Sequence, residues 1–578
     1  MTTKEQREAV VTRTRCGDVE GEVFLVADGR VKVDGYRGIP YAAPPIGDLA
    51  FAKPVAVAPW EGVLKTKRWP NRAIQSWSVG QVLAKLLPKL ESDSQDCLYL
   101  NVFCPHEKCI SEPDGYAVMV WIHGGSFHIG SSLEYGYRGI TEQLVSKGVI
   151  FVSIHYRLGP YGFFSSGDKA AGGNWALWDQ RMALMWVREN IACFGGDPKR
   201  VTVVGESAGA ACASLLTLSP HSSGLFEQAI LMSGSYTAPW AVSEQTVRHS
   251  KMLLQELGCE SDDGNAMLAC IRSKTTEQIA TAESKVYAGT RQTLLIPRMD
   301  GDFFPEPLDQ LVKKAPPKLI IAGTTKDEFG LFVTPPLKEI VTSMSASDDS
   351  FTLDHFRGFL HFLTCSSGKF KNGALLKRLA THHYLDSQLE KVEEEGEAAN
   401  RLFLIDQYVK LFSDVFMHYP QMQDAESRLA NGSTVWLYSF DYFNPAVFPP
   451  EHKHKGVFHI MDLIYLFHAH FWQSFPFNED DDRMMHVLST LWTNFAKYGN
   501  PTPAKEADAA APLSRWEAIS SSTPDRYLSL TPRPVMKPHY NPHCRSFWKL
   551  LLPDIEKLGT TEAATEEEEA KSKQTAKV

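Results

Sequence analysis

The segment Gly205–Gly209 places a serine between two closely spaced glycines, in the order G-E-S-A-G. In the pattern G-x-S-x-G, the glycines let the chain turn sharply from a strand into a helix and hold the serine in a strained, exposed conformation. A serine hydroxyl is a poor nucleophile at neutral pH, so it needs a base that takes its proton and donors that stabilise the oxyanion formed on the substrate. The segment therefore predicts covalent catalysis with Ser207 as the nucleophile.

A second segment of small residues lies upstream, where Trp121–Phe127 has the order W-I-H-G-G-S-F at the end of an apolar run. Small residues at such a position free backbone N–H groups to face a ligand. We expect the N–H groups of Gly125, Ser126 and Ala208 to form an oxyanion hole, in which the loss of one donor costs about 3 kcal/mol of barrier. The alternative interpretation of either segment is a glycine-rich structural turn.

The segments around these residues predict a parallel sheet with crossover helices, because apolar runs typical of buried strands alternate with apolar residues at helical intervals. The predicted strands are Val118–Ile122, Val149–Ile154, Val201–Val204, Gln228–Met232, Lys318–Ala322 and Val435–Phe440. The predicted helices are Trp175–Ile191, Ala208–Leu216 and Leu402–His418, whereas Gly17–Pro54 predicts short strands and turns. Ser207 thus lies between a strand and a helix, as the nucleophile pattern requires.

The composition of the 578-residue chain, with 43% hydrophobic and 22% charged residues, is typical of a globular protein with a large core. Its net charge of -9 argues against nucleic acid as a partner. No apolar run is long enough to predict a membrane span, and the charged first residues do not fit a secretory signal. We therefore expect a cytoplasmic protein in which residues 559–578 form a disordered, low-complexity tail.

The chain as a whole resembles the carboxylesterase/cholinesterase group of α/β-hydrolases, the type-B carboxylesterases. Besides the two segments above, the resemblance rests on R-G-I-P-Y-A at Arg37–Ala42, D-C-L-Y-L-N-V at Asp96–Val102, N-I-A-C-F-G-G-D-P at Asn190–Pro198 and M-S-G-S at Met232–Ser235. It implies an α/β-hydrolase fold with a mostly parallel central sheet flanked by helices, large insertions or a cap, and a small N-terminal β segment. It also implies that residues 1–558 form a single domain.

The resemblance implies the remaining members of a Ser-His-Glu triad. The acid of this family lies in a G-x-x-x-D-E segment, which is matched by Gly323–Glu328, so Glu328 is the expected acid and Asp327 is the neighbouring alternative. The base of the family lies in a G-V-x-H segment, which implies His459. Ile460 departs from the family pattern, which usually has glycine after the histidine.

Other polar residues near the implied triad are alternatives for the base or members of a supporting network. His452 and His454 lie close to His459 in the sequence and are alternatives for the base. The resemblance implies a polar network of Glu206, Ser233 and Asp462 behind the triad. It implies no metal and no cofactor, because fixed dipoles and the imidazolium handle the charge that develops during the reaction.

The activity implied by the resemblance is hydrolysis of small-molecule carboxylic esters through an acyl-enzyme intermediate. Three alternatives stay open: an acyltransferase that uses the same intermediate, amide hydrolysis as a side activity, and a non-catalytic, adhesion-type relative of the same fold. Relatives of the last kind characteristically lose the serine that is present here as Ser207. The natural ester and the oligomeric state are left open.

Two further comparisons with the family concern specificity and redox state. Leu87 stands at the spacing where cholinesterases carry the tryptophan that binds choline, which disfavours choline esters. Cys259 and Cys270 have the spacing of a family disulfide, and the sequence leaves open whether they are bridged or reduced.

Overall fold

The computed structural model of the chain describes residues 8–27, 29–75, 93–107, 114–290, 295–333, 351–366, 370–386, 397–450, 452–470, 474–504 and 514–558. The expected disordered tail at 559–578 and the comparison at position 87 lie outside the described residues.

The strands of the described residues form one large sheet and one small sheet. In chain order they are β1 (Ala9–Arg13), β2 (Asp18–Val26), β3 (Val31–Pro40), β4 (Val63–Lys65), β5 (Arg72–Ala73), β6 (Asp93–Ser94), β7 (Tyr99–Pro105), β8 (Tyr116–Ile122), β9 (Val149–Ile154), β10 (Gly196–Glu206), β11 (Gln228–Met232), β12 (Leu319–Thr325), β13 (Thr434–Phe440), β14 (Tyr527–Leu530) and β15 (Val535–Lys537).

The α-helices of the same residues are α1 (Gly159–Phe163), α2 (Trp175–Asn190), α3 (Ala208–Leu218), α4 (Gln245–Glu256), α5 (Gly264–Arg272), α6 (Thr276–Thr290), α7 (Leu308–Lys314), α8 (Gly330–Val333), α9 (Leu353–His361), α10 (Gly373–Thr381), α11 (Glu397–Ser413), α12 (Tyr419–Ala430), α13 (Met461–Phe467), α14 (Glu479–Tyr498) and α15 (Pro542–Cys544). Turns of π-helix lie at Ile140–Leu144, Phe362–Ser366, His382–Asp386, Asp414–His418 and Arg545–Leu551, and short 3₁₀-helices lie at Gly47–Leu49, Val145–Lys147, Ile191–Phe194, Pro220–Ser222 and Pro445–Val447.

The large sheet has the strand order β1-β2-β3-β7-β9-β8-β10-β11-β12-β13-β14-β15, with β4 beside β2. The strands from β9 to β14 in this order pair in parallel. The N-terminal strands β1, β2, β3 and β7 pair antiparallel and join the parallel part through β9. The sheet is therefore mostly parallel in its centre, with a small antiparallel β segment from the start of the chain.

The central strands are buried because helices cover both faces of the sheet. In β9 all six residues are buried. Along β8, Val118 and Val120 contribute to one hydrophobic core, whereas Met119 and Trp121 contribute to the other. This division follows from the alternation of side chains along a strand, and it explains why these strands read as continuous apolar runs in the sequence.

The predicted elements are confirmed, with shifts at their ends. The strand predicted at Val201–Val204 begins earlier, at Gly196, and its pairing with β8 changes register between Gly196 and Val201. The strand predicted from Lys318 extends to Thr325. The long helix predicted at Leu402–His418 ends as an α-helix at Ser413 and continues as the π-helical turn Asp414–His418.

The parallel part of the sheet determines where the candidate residues meet. The carboxyl ends of parallel strands lie at one edge of the sheet, where α/β proteins bind their ligands. At that edge β8 leads into the segment at 123–127, β10 leads into Ser207, β11 leads into Ser233, and β12 leads into Glu328.

Two further features concern the chain outside this edge. Cys259 and Cys270, whose state the sequence left open, are joined by a disulfide that links the loop after α4 to α5. Among the helices of the described residues, none combines the length and the apolar character that a membrane crossing needs.

Candidate active site

Ser207 lies at a sharp turn between β10 and α3. Its backbone has φ +55° and ψ -124°, a strained conformation for a residue with a side chain. Its N–H donates to the carbonyl of Met232 on the next strand at 2.8 Å. A Cβ on Gly205 would lie 2.3 Å from the carbonyl oxygen of Gly209, and a Cβ on Gly209 would lie 2.1 Å from that of Ile122. Both glycines of the motif are therefore required by backbone contacts.

The segment after β8 packs directly against this turn. A Cβ on Gly124 would lie 3.0 Å from the Cβ of Ser207. The next three residues, Gly125, Ser126 and Phe127, have φ values of +112°, +53° and +66°. The carbonyl of Gly125 accepts from the N–H groups of two residues further along this loop, at 3.0 and 3.1 Å. The loop is thus fixed in an unusual conformation beside Ser207 and beside Ala208, the first residue of α3.

Glu328 and His459 meet although 131 positions separate them in the sequence. The Nδ1 atom of His459 donates to Oε2 of Glu328 at 2.5 Å, and the backbone N–H of His459 donates to the carbonyl of Glu328 at 3.2 Å. The other carboxylate oxygen, Oε1, accepts from the N–H of Thr325 at 2.8 Å. Both side chains are buried, so the orientation of the imidazole is fixed by the carboxylate.

The alternatives that the sequence left open have other contacts. The carboxylate of Asp327 accepts from the N–H of Val457 at 3.0 Å and joins the two loops instead of contacting the imidazole. His454 pairs with Asp406 at 2.7 Å, and His452 stacks on Phe448. Glu328 and His459 are therefore the acid and the histidine that the fold brings together.

The second ring nitrogen of His459 faces the turn between β10 and α3 that carries Ser207. Its Nε2 lies 3.2 Å from Oε1 of Glu206, the residue directly before Ser207. Within the described residues, no hydrogen bond joins the hydroxyl of Ser207 to His459, so Nε2 has Glu206 as its neighbour in this structure. Catalytic hydrogen bonds are often long in structures without substrate and shorten when the substrate binds.

Burial and the neighbouring carboxyl groups change the pKa of His459 in opposite directions. Burial favours the neutral form of His459, but Glu206 and Glu328 outweigh burial and raise its pKa to about 9. Burial raises the pKa of the Glu206 carboxyl to about 8, although His459 opposes that change. Burial also raises the pKa of Asp462 to about 7, with the nearby Glu328 adding to the effect. The imidazole is therefore surrounded by three carboxyl groups, of which two bind protons more tightly than usual.

The pKa of Glu328 changes in the opposite direction. Burial would raise its pKa, but the charge and the hydrogen bond of His459 outweigh burial and hold the pKa below its usual value. The side chain of Ser233 lies beside this carboxylate and contributes in the same direction. All three residues of the implied network, Glu206, Ser233 and Asp462, are thus near the Glu328–His459 pair.

Ile460, the departure from the family pattern, has φ +66° and ψ 0°. This left-handed conformation favours glycine and is strained for a β-branched residue. The residue lies at the start of α13 and is half-buried against the second hydrophobic core. The backbone thus keeps a conformation that suits glycine, although the residue is isoleucine.

Aromatic side chains near the site were not marked by any sequence motif. The ring of Phe332 stacks on the imidazole of His459 at 6.1 Å, and the ring of Phe329 packs on Phe332 at 4.8 Å. Trp240 contacts Phe127 of the loop after β8. Single aromatic residues in the sequence carry no pattern that separates site lining from core, so their position becomes known only from the fold.

A sequence model of the carboxylesterase family matches residues 8–548. The chain belongs to the carboxylesterase family. The chain is 33% identical to one relative, Esterase cest-33 of Caenorhabditis elegans, over 94% of this chain and 93% of that protein. It is 31% identical to Acylcarnitine hydrolase of Mus musculus over 94% of this chain and 91% of that protein. It is 30% identical to Neuroligin-3 of Mus musculus over 96% of this chain and 70% of that protein.

Family membership accounts for the fold and for the class of reaction. The mixed sheet with a parallel centre and flanking helices is the α/β-hydrolase fold that the sequence predicted. The protein is a carboxylic ester hydrolase, and the family to which it belongs acts on small-molecule esters.

Proposed function

We propose that the protein hydrolyses carboxylic esters with a triad of Ser207, His459 and Glu328 through an acyl-enzyme intermediate. The observation that carries the proposal is the 2.5 Å hydrogen bond between Glu328 and His459 at the edge of the sheet where Ser207 lies on its strained turn. Nδ1 of His459 is held as a donor by the carboxylate, which leaves Nε2 to exchange a proton. This division of roles is the one that a serine hydrolase needs.

In the first half of the reaction, Nε2 of His459 takes the proton of Ser207 as Oγ attacks the ester carbonyl carbon. The Oγ–C bond forms, the carbonyl oxygen becomes an oxyanion, and the C–O bond to the alcohol then breaks as His459 returns the proton to the leaving oxygen. Glu328 stabilises the imidazolium that exists between these two transfers. In the second half, water replaces the alcohol, and its attack releases the acid and restores Ser207.

The N–H groups of Gly125, Ser126 and Ala208 form the proposed oxyanion hole. Support comes from the left-handed backbone of Gly125 and Ser126 and from the contact of this loop with the nucleophile turn. Ala208 supplies the first N–H of α3, where the helix dipole also favours negative charge. Fixed donors of this kind contribute about 3 kcal/mol each to the stabilisation of the transition state.

Aromatic rings beside the proposed base favour apolar ester groups. The ring of Phe332 stacks on the imidazole of His459 and the ring of Phe329 packs on Phe332, and Phe127 of the loop after β8 is buried against Trp240. Ligand sites of this composition bind apolar groups and orient them with a few polar contacts. We therefore propose uncharged esters with apolar acyl or alcohol groups as the substrates.

The proposal is tested with Ser207→Ala and a series of p-nitrophenyl esters from acetate to long chains. We expect kcat to fall at least about a thousandfold for every ester, because the oxyanion hole and binding alone provide little rate. A fluorophosphonate probe should label the wild type and fail to label the variant. Activity of Ser207→Ala within about tenfold of the wild type would refute the assignment of the nucleophile.

A second measurement separates hydrolysis from acyl transfer. An alcohol acceptor added to the wild type competes with water for the acyl-enzyme. We expect the free acid to stay the main product. Predominant formation of the new ester would instead identify the protein as an acyltransferase that uses the same residues.

A further inference from the structure

The turn between α11 and α12 holds the loop that carries Glu328 from two sides. The hydroxyl of Ser413 accepts from the N–H of Phe329, directly after Glu328, at 3.0 Å. Nε2 of His418 lies 3.1 Å from the carbonyl oxygen of Thr325, at the end of β12. The N–H of Thr325 in turn donates to the Glu328 carboxylate. Ser413 at the end of α11 and His418 in the π-helical turn Asp414–His418 thus contact the two ends of the loop that positions Glu328, and such turns are frequent at functional sites.

Both ring nitrogens of His418 face hydrogen-bond acceptors. A carbonyl oxygen can only accept, so Nε2 of His418 donates to Thr325. Nδ1 lies 3.0 Å from Oδ1 of Asp414. The other oxygen of Asp414, Oδ2, accepts from the hydroxyl of Tyr384 at 2.7 Å, and that hydroxyl accepts from the indole N–H of Trp548 at 2.7 Å. A histidine that donates from both nitrogens is an imidazolium, with Asp414 as its carboxylate partner.

The pair is buried, and the groups around it set the charge balance. His418 and Asp414 are each 3% exposed. Among the described residues, the titratable or charged groups that face the pair from its own and neighbouring elements are Glu328, Lys410, His383, Tyr384, Tyr540, His543 and Cys544. Glu328 is the carboxylate of this set, and it is hydrogen-bonded to His459. Negative and positive groups therefore alternate from Asp414 through His418 and Glu328 to His459.

The direction of the pKa changes agrees with this charge pattern. Burial would lower the pKa of His418, but the hydrogen bond and the charge of Asp414 outweigh burial and raise it. Burial would raise the pKa of Asp414, but the hydrogen bonds of His418 and its other neighbours lower it to about 2. His418 is also one of the groups that lower the pKa of Glu328.

We propose that His418 is a positioning residue for the ester hydrolase reaction, a buried imidazolium that holds the Glu328 loop in place and keeps the Glu328 carboxylate charged. The inference rests on the proposed triad, because it concerns the acid of that triad. The effect of His418 on catalysis passes through Glu328 to His459. His418 therefore controls the pH range in which His459 acts as a base.

The test uses the pH dependence of kcat/KM for a p-nitrophenyl ester with wild type, His418→Gln and Asp414→Asn. Glutamine can still donate to the Thr325 carbonyl but carries no charge, and a neutral Asp414 partner no longer stabilises the imidazolium. Loss of the cation makes it easier to add a proton to the Glu328–His459 pair. We expect the acid limb of the profile to move to higher pH by about half a unit or more in both variants. Above that limb, kcat/KM should stay within about tenfold of the wild type.

Two controls separate this inference from the function on which it rests. His106→Gln removes the histidine of a different Asp–His pair, formed with Asp34 in the N-terminal β segment, and should leave the profile unchanged. Ser207→Ala is measured in parallel. If Ser207→Ala abolishes activity and the limb moves in neither His418→Gln nor Asp414→Asn, the triad stands and the inference about His418 is overturned.

Other outcomes also decide against the inference. If kcat/KM falls equally at every pH and the acid limb does not move, His418 only supports the structure and does not influence the charge of the Glu328–His459 pair. If both variants fail to fold, as measured by circular dichroism and thermal melting, the role of His418 is structural and the inference is overturned. If one variant folds and the other does not, the limb position of the folded variant decides.

Discussion

The contact between Glu206 and His459 predicts a large effect of Glu206→Gln on the pH profile. The atoms Oε1 and Nε2 are 3.2 Å apart, which corresponds to about 5 kcal/mol of attraction between full charges at an effective dielectric constant of about 20. At about 1.4 kcal/mol for each pH unit, this energy sets an upper bound of about four units. Because burial raises the pKa of Glu206 itself to about 8, Glu206 carries only part of its charge in the pH range where His459 titrates, and the expected shift is smaller, about one to two units.

The sign of the shift follows from the form of His459 that is active. His459 must be neutral to accept the proton of Ser207. Glu206 stabilises the imidazolium and is one cause of its pKa of about 9. Glutamine keeps the shape and removes the charge, so the imidazolium loses its proton at lower pH. The acid limb of kcat/KM should therefore move to lower pH in Glu206→Gln, opposite to the direction expected for His418→Gln.

The measurement is a pH-stat assay of ester hydrolysis from about pH 5 to about pH 10, which spans the limbs of both proteins. Glu20→Gln is the matched control, because Glu20 pairs with Lys67 in the N-terminal β segment and should leave the limb where it is. An unmoved limb in Glu206→Gln, or one that moves to higher pH, would show that Glu206 does not stabilise the imidazolium in the working enzyme.

Three other predictions follow from local geometry. A Cβ on Gly234 would lie 2.2 Å from the carbonyl oxygen of Ser207, so Gly234→Ala should shift the nucleophile and lower kcat/KM about a hundredfold, which esterase kinetics on folded protein will check. Ile460→Gly relieves about 1–2 kcal/mol of left-handed strain but loses half-buried surface, so urea unfolding should show a change under about 1 kcal/mol. By contrast, Val457→Gly at a buried neighbour should cost more than about 2 kcal/mol. Reduction of the disulfide Cys259–Cys270 should lower the free energy of unfolding by about 2–3 kcal/mol, as measured by denaturation with and without reductant; equal stability in both conditions would contradict this.

The parallel centre of the fold was predictable because its strands are buried on both faces. Strands such as β9 and β11 are buried throughout and mostly apolar, so a run of hydrophobic residues indicates them without any knowledge of the tertiary structure. The ends of the strands were less predictable. β10 begins at Gly196, where the register against β8 shifts, and such an irregularity has no signal in hydrophobic periodicity.

The proposed nucleophile, Ser207, is indicated by the residues around it, whereas the proposed acid and base needed the family resemblance. The contacts of Gly205 and Gly209 show why the motif is local: each glycine is required by the backbone of the same turn or of the adjacent strand. Glu328 and His459 meet through folding across many intervening residues. Without the family's G-V-x-H segment, no spacing rule distinguishes His459 from His454, and the contacts of each ring separate them in the structure.

The contacts behind the triad could not be derived from the sequence. His418 lies at the end of a segment that reads as ordinary amphipathic helix, and its relation to Thr325 depends on the π-helical turn after Ser413. Positive φ values at Ser126, Phe127 and Ile460 carry no sequence signal either, because residues with side chains rarely adopt them.

The spread of the proposed triad along the chain has a consequence for biosynthesis. Because His459 follows the last but one strand of the parallel series, a ribosome has made most of the polypeptide before the nucleophile has a partner. Nascent chains should therefore be inert toward esters until the final strands dock, so the enzyme is unable to react prematurely during translation. Turnover of a simple ester can then serve as a reporter for completion of folding in refolding or chaperone experiments.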